Sequence, residues 1–268
     1  MKITKHISFY YLEDRFKYIN KIIDETNKYS IQTDIFIHTN NKNLSVDLFN
    51  KYVNGSINII WHDLSNTNPF YLTWKCRDLL SKQKDDYDIF MYIEDDILVS
   101  DRTIQYWLKY NEDLIKMNYN LGFVRIEVDD KKDEYITDIF GFNGKIDKII
   151  KINEIDYAIN DKNPYCAFWI YNKKEFNRFV NSKYYDINNI PGYQIRERSA
   201  IGLHGAPPHG NAKYWYDLTL IPIVNNRLIE DCKIYHLPNN YVGDQDPHCA
   251  TIKFNECIKE TVFTPINI

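Results

Sequence analysis

The chain has 268 residues, 44% apolar and 26% charged, with 33 Lys plus Arg against 37 Asp plus Glu and a formal net charge of −4. That is the composition of a globular chain with one sizeable core, and it excludes long disorder, low complexity and a collagen-like repeat. No basic excess exists to hold a phosphate backbone, so nucleic acid is not an expected partner.

Read in chain order, the first 130 residues alternate between periods of two and of 3.6. Ile3 to Tyr11 predicts a strand, and from Glu13 the residues Phe16, Ile19, Ile22 and Ile23 fall on one helical face. Thr33 to Thr39 and Ile57 to Trp61 predict two buried strands. Asn68-Pro69 opens a helix, an Asn cap followed by proline where its missing N–H costs nothing, running to about Lys84. Asp88 to Ile93 predicts a third buried strand, which stops at Glu94-Asp95-Asp96. Ser100 caps a helix whose apolar face is Ile104, Trp107, Leu108, Leu114 and Ile115, and Leu121 to Val128 is the next strand. The second half is less regular. It holds strand-like Tyr165–Tyr171, a helix near Lys173–Val180, a helix from about Gln194 to Ile201, a Gly/Pro/His loop at His204–Gly210 and a strand at Lys233–His236. Alternating strands and helices predict an α/β fold with a mixed, mostly parallel central sheet flanked by helices. With no Pro/Gly/Ser linker and no repeat, one domain over 1–268 is expected.

Parallel sheets bind ligands outside the carboxyl ends of their strands, which is where Glu94-Asp95-Asp96 falls. Carboxylate oxygens suit magnesium or manganese, and alternation places Glu94 and Asp96 on one side and Asp95 on the other. The alternative is a solvated acidic turn. Lys75 and Arg77, near the start of a helix, could donate to phosphate, and Thr39 and Asn40 at a strand end could bond a base or ribose. Asn239, Asn240 and Tyr241 could give amide and phenol donors to phosphate oxygens, or form a plain Pro-Asn turn. Tyr165 and Trp169 either stack on a sugar face or fill the core. Asp244-Gln245-Asp246-Pro247-His248 reads as a surface turn.

Two segments, Tyr71-Leu72-Thr73-Trp74-Lys75-Cys76-Arg77-Asp78 and Phe90-Met91-Tyr92-Ile93-Glu94-Asp95-Asp96-Ile97, resemble the nucleotide-sugar half of GT-A glycosyltransferases, whose Asp-rich "DxD" motif follows a central strand. More narrowly, the chain resembles the glycosyltransferase domains of large DNA viruses and some bacteria, over about Ile3 to Tyr241. It departs from the motif in having Glu94 in place of the first Asp. The resemblance implies a GT-A, Rossmann-like fold, with 1–130 a nucleotide-binding half and 131–268 an acceptor-side half, and a metal, Mn2+ or Mg2+, held by Asp96, His236 and Glu94, with Asp95 beside the donor. It implies that Phe9, Tyr10 and Tyr11 seat the base of a UDP- or GDP-linked sugar. Glu197 resembles the acidic residue that serves inverting members as general base, with Arg196 and Arg198 flanking it toward the sugars. Asp217, Glu230 and Asp231 are its substitutes. His204–Gly210 would border the acceptor.

The expected function is therefore metal-dependent transfer of a sugar from a nucleoside diphosphate to a hydroxyl of a glycan acceptor, with inversion. A non-catalytic nucleotide- or carbohydrate-binding module on the same sheet is the alternative. A sugar-phosphate nucleotidyltransferase is disfavoured because Tyr10-Tyr11-Leu12-Glu13-Asp14 is neither Gly-rich nor basic. The five cysteines (Cys76, Cys166, Cys232, Cys249, Cys257) are odd in number and lack a Cys-x-x-Cys spacing, so reduced thiols are expected. The N-terminus lacks the apolar run of a signal peptide, and no stretch approaches the ~20 apolar residues of a span. A cytoplasmic location, the host cytoplasm if the chain is viral, is the expectation.

Overall fold

The structure, a computed structural model, describes residues 1–117, 119–138, 145–160, 165–190, 194–200, 219–242 and 250–259. In chain order the strands are β1 (Lys2–Phe9), β2 (Gln32–Thr39), β3 (Ile57–Trp61), β4 (Ile89–Glu94), β5 (Ile97–Leu98), β6 (Asn120–Leu121), β7 (Val124–Val128), β8 (Glu134–Ile136), β9 (Ile149–Ile152), β10 (Ile155–Asn160), β11 (Phe168–Asn172), β12 (Thr219–Val224), β13 (Arg227–Leu228), β14 (Lys233–His236) and β15 (Ile252–Lys253). The α-helices are α1 (Phe16–Thr26), α2 (Cys76–Lys82), α3 (Asp101–Lys116), α4 (Lys173–Val180) and α5 (Ile195–Ser199). The chain is α/β, with mixed sheets, and divides into two units, Met1–Asp101 with Ala167–Leu203 and Arg102–Cys166 with His204–Ile268.

In the first unit five strands lie in the order β11-β4-β1-β2-β3. β1 pairs in parallel with β2 and β4, β2 pairs in parallel with β3, and β11 closes the β4 edge antiparallel. Nearly every residue of β1, β2 and β4 is buried, as expected of parallel strands covered on both faces. Alternation sends Ile3, Lys5 and Ile7 of β1 to one face, where the buried stripe Ile19, Ile22 and Ile23 of α1 belongs. Thr4, His6 and Ser8 go to the other. The chain steps outward from β1 through β2 to β3, then returns to the far side of β1 as β4. Strand order thus reverses between β1 and β4. The Asn68 cap forms, its Oδ1 accepting from the Phe70 N–H at 3.0 Å, but the helix it opens is divided: a 3-10 segment over Pro69–Trp74 precedes α2. α4 begins on a capping box, with Asn172 and Glu175 each bonded to the other's backbone N–H.

In the second unit one sheet runs β13-β12-β10-β9 with β6 beside β12, and another contains β15-β8-β7-β14. Most of these pairs are antiparallel. The single strand predicted over Leu121–Val128 is two. β6 pairs with β12 and β7 with β14, and the chain changes sheet at Gly122, where a Cβ would lie 2.6 Å from the Ile221 and Thr219 side chains. α3 turns Ile104, Trp107 and Leu114 inward as expected. However, Tyr106 and Tyr110 take the inner positions assigned to Leu108 and Ile115, and the Tyr106 hydroxyl donates to the Gly122 carbonyl at 2.8 Å. Cys76, Cys166, Cys232 and Cys257 are free and buried, and burial pushes the thiols of Cys76 and Cys257 up to about 12. Among the described residues no helix is long and apolar enough to cross a membrane.

Candidate functional site

A cavity of about 270 Å³ opens at the β1/β4 reversal in the first unit. Its walls are Ser8 of β1, Tyr10, Leu12 and Arg15 after it, Pro69, Phe70, Leu72 and Thr73 of the 3-10 segment, Glu94 and Asp95 at the end of β4, and Arg196 of α5. Because β1 and β4 are parallel neighbours, the segments leaving their carboxyl ends must meet at this edge.

Glu94, Asp95 and Asp96 are each 5–6% exposed. Three buried carboxylates require compensation, and Arg15 supplies most of it. Its Nε donates to Asp95 Oδ2 at 2.8 Å, and its Nη2 donates to Asp95 Oδ1 and, at 2.7 Å, to Asp96 Oδ2. Burial pushes the Asp95 carboxyl up, against the pull of Arg15. Arg196 Nε lies 3.6 Å from Glu94 Oε2. The alternation expected through Glu94-Asp95-Asp96 does not continue: β4 ends at Glu94, the two aspartates form a turn, and both reach one guanidinium. Arg15 was not singled out from sequence. Its place at the start of the helix that follows β1 was local information; that the acids ending β4 lie beside it follows only from the β1–β4 pairing.

Around this edge, Tyr10 is 40% exposed and lines the cavity, whereas Phe9 is fully buried. Asn40 Oδ1 accepts from the Tyr11 N–H at 2.7 Å, clipping together the segments after β1 and β2. Thr39 is buried and accepts from the Asn41 N–H. Lys75 is exposed. Arg77 is buried: its guanidinium lies 4.0 Å from the Trp74 ring and donates to the Tyr185 and Ser199 carbonyls. Trp169 is buried among Tyr92, Tyr171, Phe176 and Phe179, the arrangement of a core residue. On α5, Glu197 Oε2 is buried and has no hydrogen-bond partner among the described residues. Its Oε1 lies 3.9 Å from Arg196 Nη2. The Trp74 indole donates to the Ile195 carbonyl at 2.7 Å and Arg198 to the Ile187 and Ile190 carbonyls, which fix this short helix.

In the second unit His236 ends β14. Its Nδ1 donates to Glu127 Oε1 at 2.5 Å, and Glu127, wholly buried on β7, accepts the Tyr241 and Val242 N–H groups on its other oxygen at 2.8 and 2.7 Å. The carboxylate thereby sets the imidazole tautomer and holds the following loop. Tyr241 stacks on His236, Asn239 Oδ1 accepts from the Val128 N–H, and Asn240 is exposed. Tyr165 is buried under the Arg125 guanidinium, which is paired with Asp138. Replacing Glu127 by leucine strips a buried histidine and two amides of their acceptor and is expected to destabilise the chain by about 3–5 kcal/mol. Urea denaturation measures this, and an unshifted midpoint would refute the role.

The sequence reading passed over a row of three histidines. His6 of β1, His38 of β2 and His62, just past β3, are each offset by two residues from the neighbouring register, so period-two alternation keeps all three on one face. His6 Nδ1 lies 2.8 Å from His38 Nε2, and His38 Nδ1 lies 2.8 Å from His62 Nε2. Three histidines on or just past predicted strands were the available signal; their register was not. Among the described residues no group of three or more His, Cys, Asp or Glu side chains is gathered for a metal ion. Asp217, Asp244–His248, His204–Gly210 and Cys249 lie outside the described residues; Glu230 and Asp231 sit in a 3-10 turn of the second unit, paired with Lys233 and Arg102. Comparison with protein-family models gives no match, and comparison with curated proteins gives none.

Proposed function

We propose that this chain is a glycosyltransferase of the GT-A kind, transferring a sugar from a UDP- or GDP-linked donor to a hydroxyl of a glycan acceptor with inversion. The observation that carries the reading is the cavity at the β1/β4 reversal, the place where parallel sheets accept ligands, walled by buried acids, an arginine pair and exposed aromatic residues. Asp96 and Glu94 are the proposed holders of Mn2+ or Mg2+. Their chemistry fits: Asp96 already shares a cation with Asp95, and a hard divalent ion commonly takes one or two carboxylates and completes its shell with phosphate and water oxygens. When bound, the ion offsets the charge of the leaving diphosphate. With Asp96 and Glu94 holding an ion, Arg15 would keep its two-point pair with Asp95 and would place its positive charge at the cavity wall, beside the phosphates. Arg77, turned into the core, has no part in it.

Glu197 is the proposed base. Its Oε2, without a hydrogen-bond partner among the described residues, is the atom that would accept the proton of the acceptor hydroxyl as that oxygen attacks the anomeric carbon. Glu197→Gln is expected to lower transfer by about 10²–10⁴-fold with donor affinity nearly unchanged. Loss of donor binding instead would make Glu197 structural. The reading as a whole is tested by assaying a panel of UDP- and GDP-sugars with manganese for hydrolysis and transfer. Tight nucleotide binding without turnover of any donor would return the site to a binding module.

A further inference from the structure

A second cavity, of about 470 Å³, adjoins the first, sharing Tyr10 and Pro69 with it. Its other walls include Asn40, Trp61, His62 and Asp63, and Trp61 is half exposed, so the lining joins an aromatic residue to polar ones. His62 is the outer end of the histidine row, and the inner end decides what it presents. His6 Nε2 lies 2.9 Å from Gln83 Oε1 and 3.0 Å from Thr4 Oγ1, and the Thr4 hydroxyl donates to the same Gln83 oxygen. A nitrogen facing two oxygens, one a carbonyl, carries the proton. His6 is thus protonated on Nε2 and accepts on Nδ1.

Each neutral imidazole has one donor and one acceptor, so the choice propagates. His38 donates from Nε2 to His6 and accepts on Nδ1; His62 donates from Nε2 to His38. The remaining atom, His62 Nδ1, is a lone pair with no partner among the described residues. The row stays neutral at pH 7: burial drives His6 to about 3 and His38 well below its ordinary value, and His62 is lowered by burial and by Lys75, against Asp78. Asp63, whose Oδ1 accepts the Ser65 N–H, adds a second acceptor-only group to the same wall.

We infer that His62 is a specificity-determining residue, its Nδ1 selecting a nucleobase that carries a ring N–H beside a carbonyl. Uracil, at N3, and guanine, at N1, meet this requirement. Cytosine and adenine present a bare ring nitrogen at the corresponding position and would set lone pair against lone pair. An acceptor left facing a lone pair instead of a donor is what makes such a site discriminate. The inference rests on the nucleotide-sugar reading and chooses among its donors.

The test is calorimetric titration of the whole chain with UDP, GDP, CDP, ADP and N3-methyl-UDP, with and without His62→Phe. UDP or GDP is expected to bind at least about tenfold more tightly than CDP and ADP, N3-methylation to abolish the advantage of UDP, and His62→Phe to abolish it by weakening UDP or GDP while CDP affinity does not fall. Equal binding of all bases, or discrimination that survives His62→Phe, overturns the inference and leaves the transferase reading standing. No binding of any nucleotide overturns both. Nitrogen-15 shifts of the unliganded chain report the row directly: His62 is expected as the Nε2–H tautomer, and a protonated Nδ1 overturns the inference without reference to ligand or turnover.

Discussion

Asp96→Ala is expected to lower sugar transfer and donor hydrolysis by at least about a hundredfold, with little loss of fold. Asp96 is the acid best placed to exchange one cation for another: it holds Arg15 through a single oxygen, whereas Asp95 holds the same guanidinium through two. Removing Asp96 leaves the two-point Arg15–Asp95 pair in place, so the turn after β4 keeps its anchor and the melting temperature moves by only a few degrees. The diphosphate loses the charge compensation that the acid would help supply as its bond to the sugar breaks. Groups that stabilise developing charge in a water-excluded site are worth roughly two to three orders of magnitude in rate. Initial rates over a manganese titration, together with a thermal melt, check both halves. A variant with near wild-type turnover refutes the metal assignment. A variant that is inactive because it unfolds makes Asp96 structural.

The first unit was largely legible because its strands are covered on both faces. β1, β2, β3 and β4 fall within a residue or two of the apolar runs that predict them, and β3 and the helix Lys173–Val180 match their predicted bounds. Strand order was not legible. The place of β4 beside β1, which creates the cavity, comes from pairing between residues more than eighty positions apart, and no local pattern carries it. The same is true of Arg15: its position after the first strand is local, but its partners are fixed by that pairing. Arg77 and Trp169 show the converse. Guanidinium and indole groups suit phosphate and sugar by type, and here their flat faces fill the core of the first unit instead.

In the second unit the short strands β8, β9, β10, β12, β13 and β15 escaped prediction. Several carry charged or half-exposed residues, such as Lys151 of β9 and Asp156 of β10, and an antiparallel strand with one wet face has no continuous apolar run to announce it. His236 was found because it closes an apolar strand. Glu127, which sets its tautomer, was not, because a lone acid in Val124–Val128 reads as the wet side of a strand until its three donors are seen.

Acid is expected to destabilise the chain in a window set by the histidine row. In the folded chain His6 titrates near 3 rather than at its ordinary 6.5, because burial penalises the imidazolium more than the Gln83 contact favours it. Between those values the unfolded chain binds a proton that the folded chain refuses, so stability is fully present above about pH 6.5 and falls as pH drops toward 3. The slope is up to about 1.4 kcal/mol per pH unit for His6 alone, or about 2–3 kcal/mol lost by pH 4.5, with His38 acting in the same direction. His6→Gln forfeits the stack on Phe36 and is expected to be weaker at pH 7, yet its profile between pH 7 and 4.5 should be flatter. Lys5 gives an internal contrast on the opposite face of the same strand. Burial lowers it from 10.5 to about 7, so stability climbs as pH rises from 7 to 10.5. Thr26 and Tyr29, whose hydroxyls accept from Lys5, already donate to the Ile22 and Val99 carbonyls, so Lys5→Met orphans no donor and is expected to remove that climb. Urea midpoints of the three proteins from pH 4.5 to 10 separate the two windows. An acid limb as steep in His6→Gln as in the parent would show that carboxylates elsewhere, not the histidine row, set the fall.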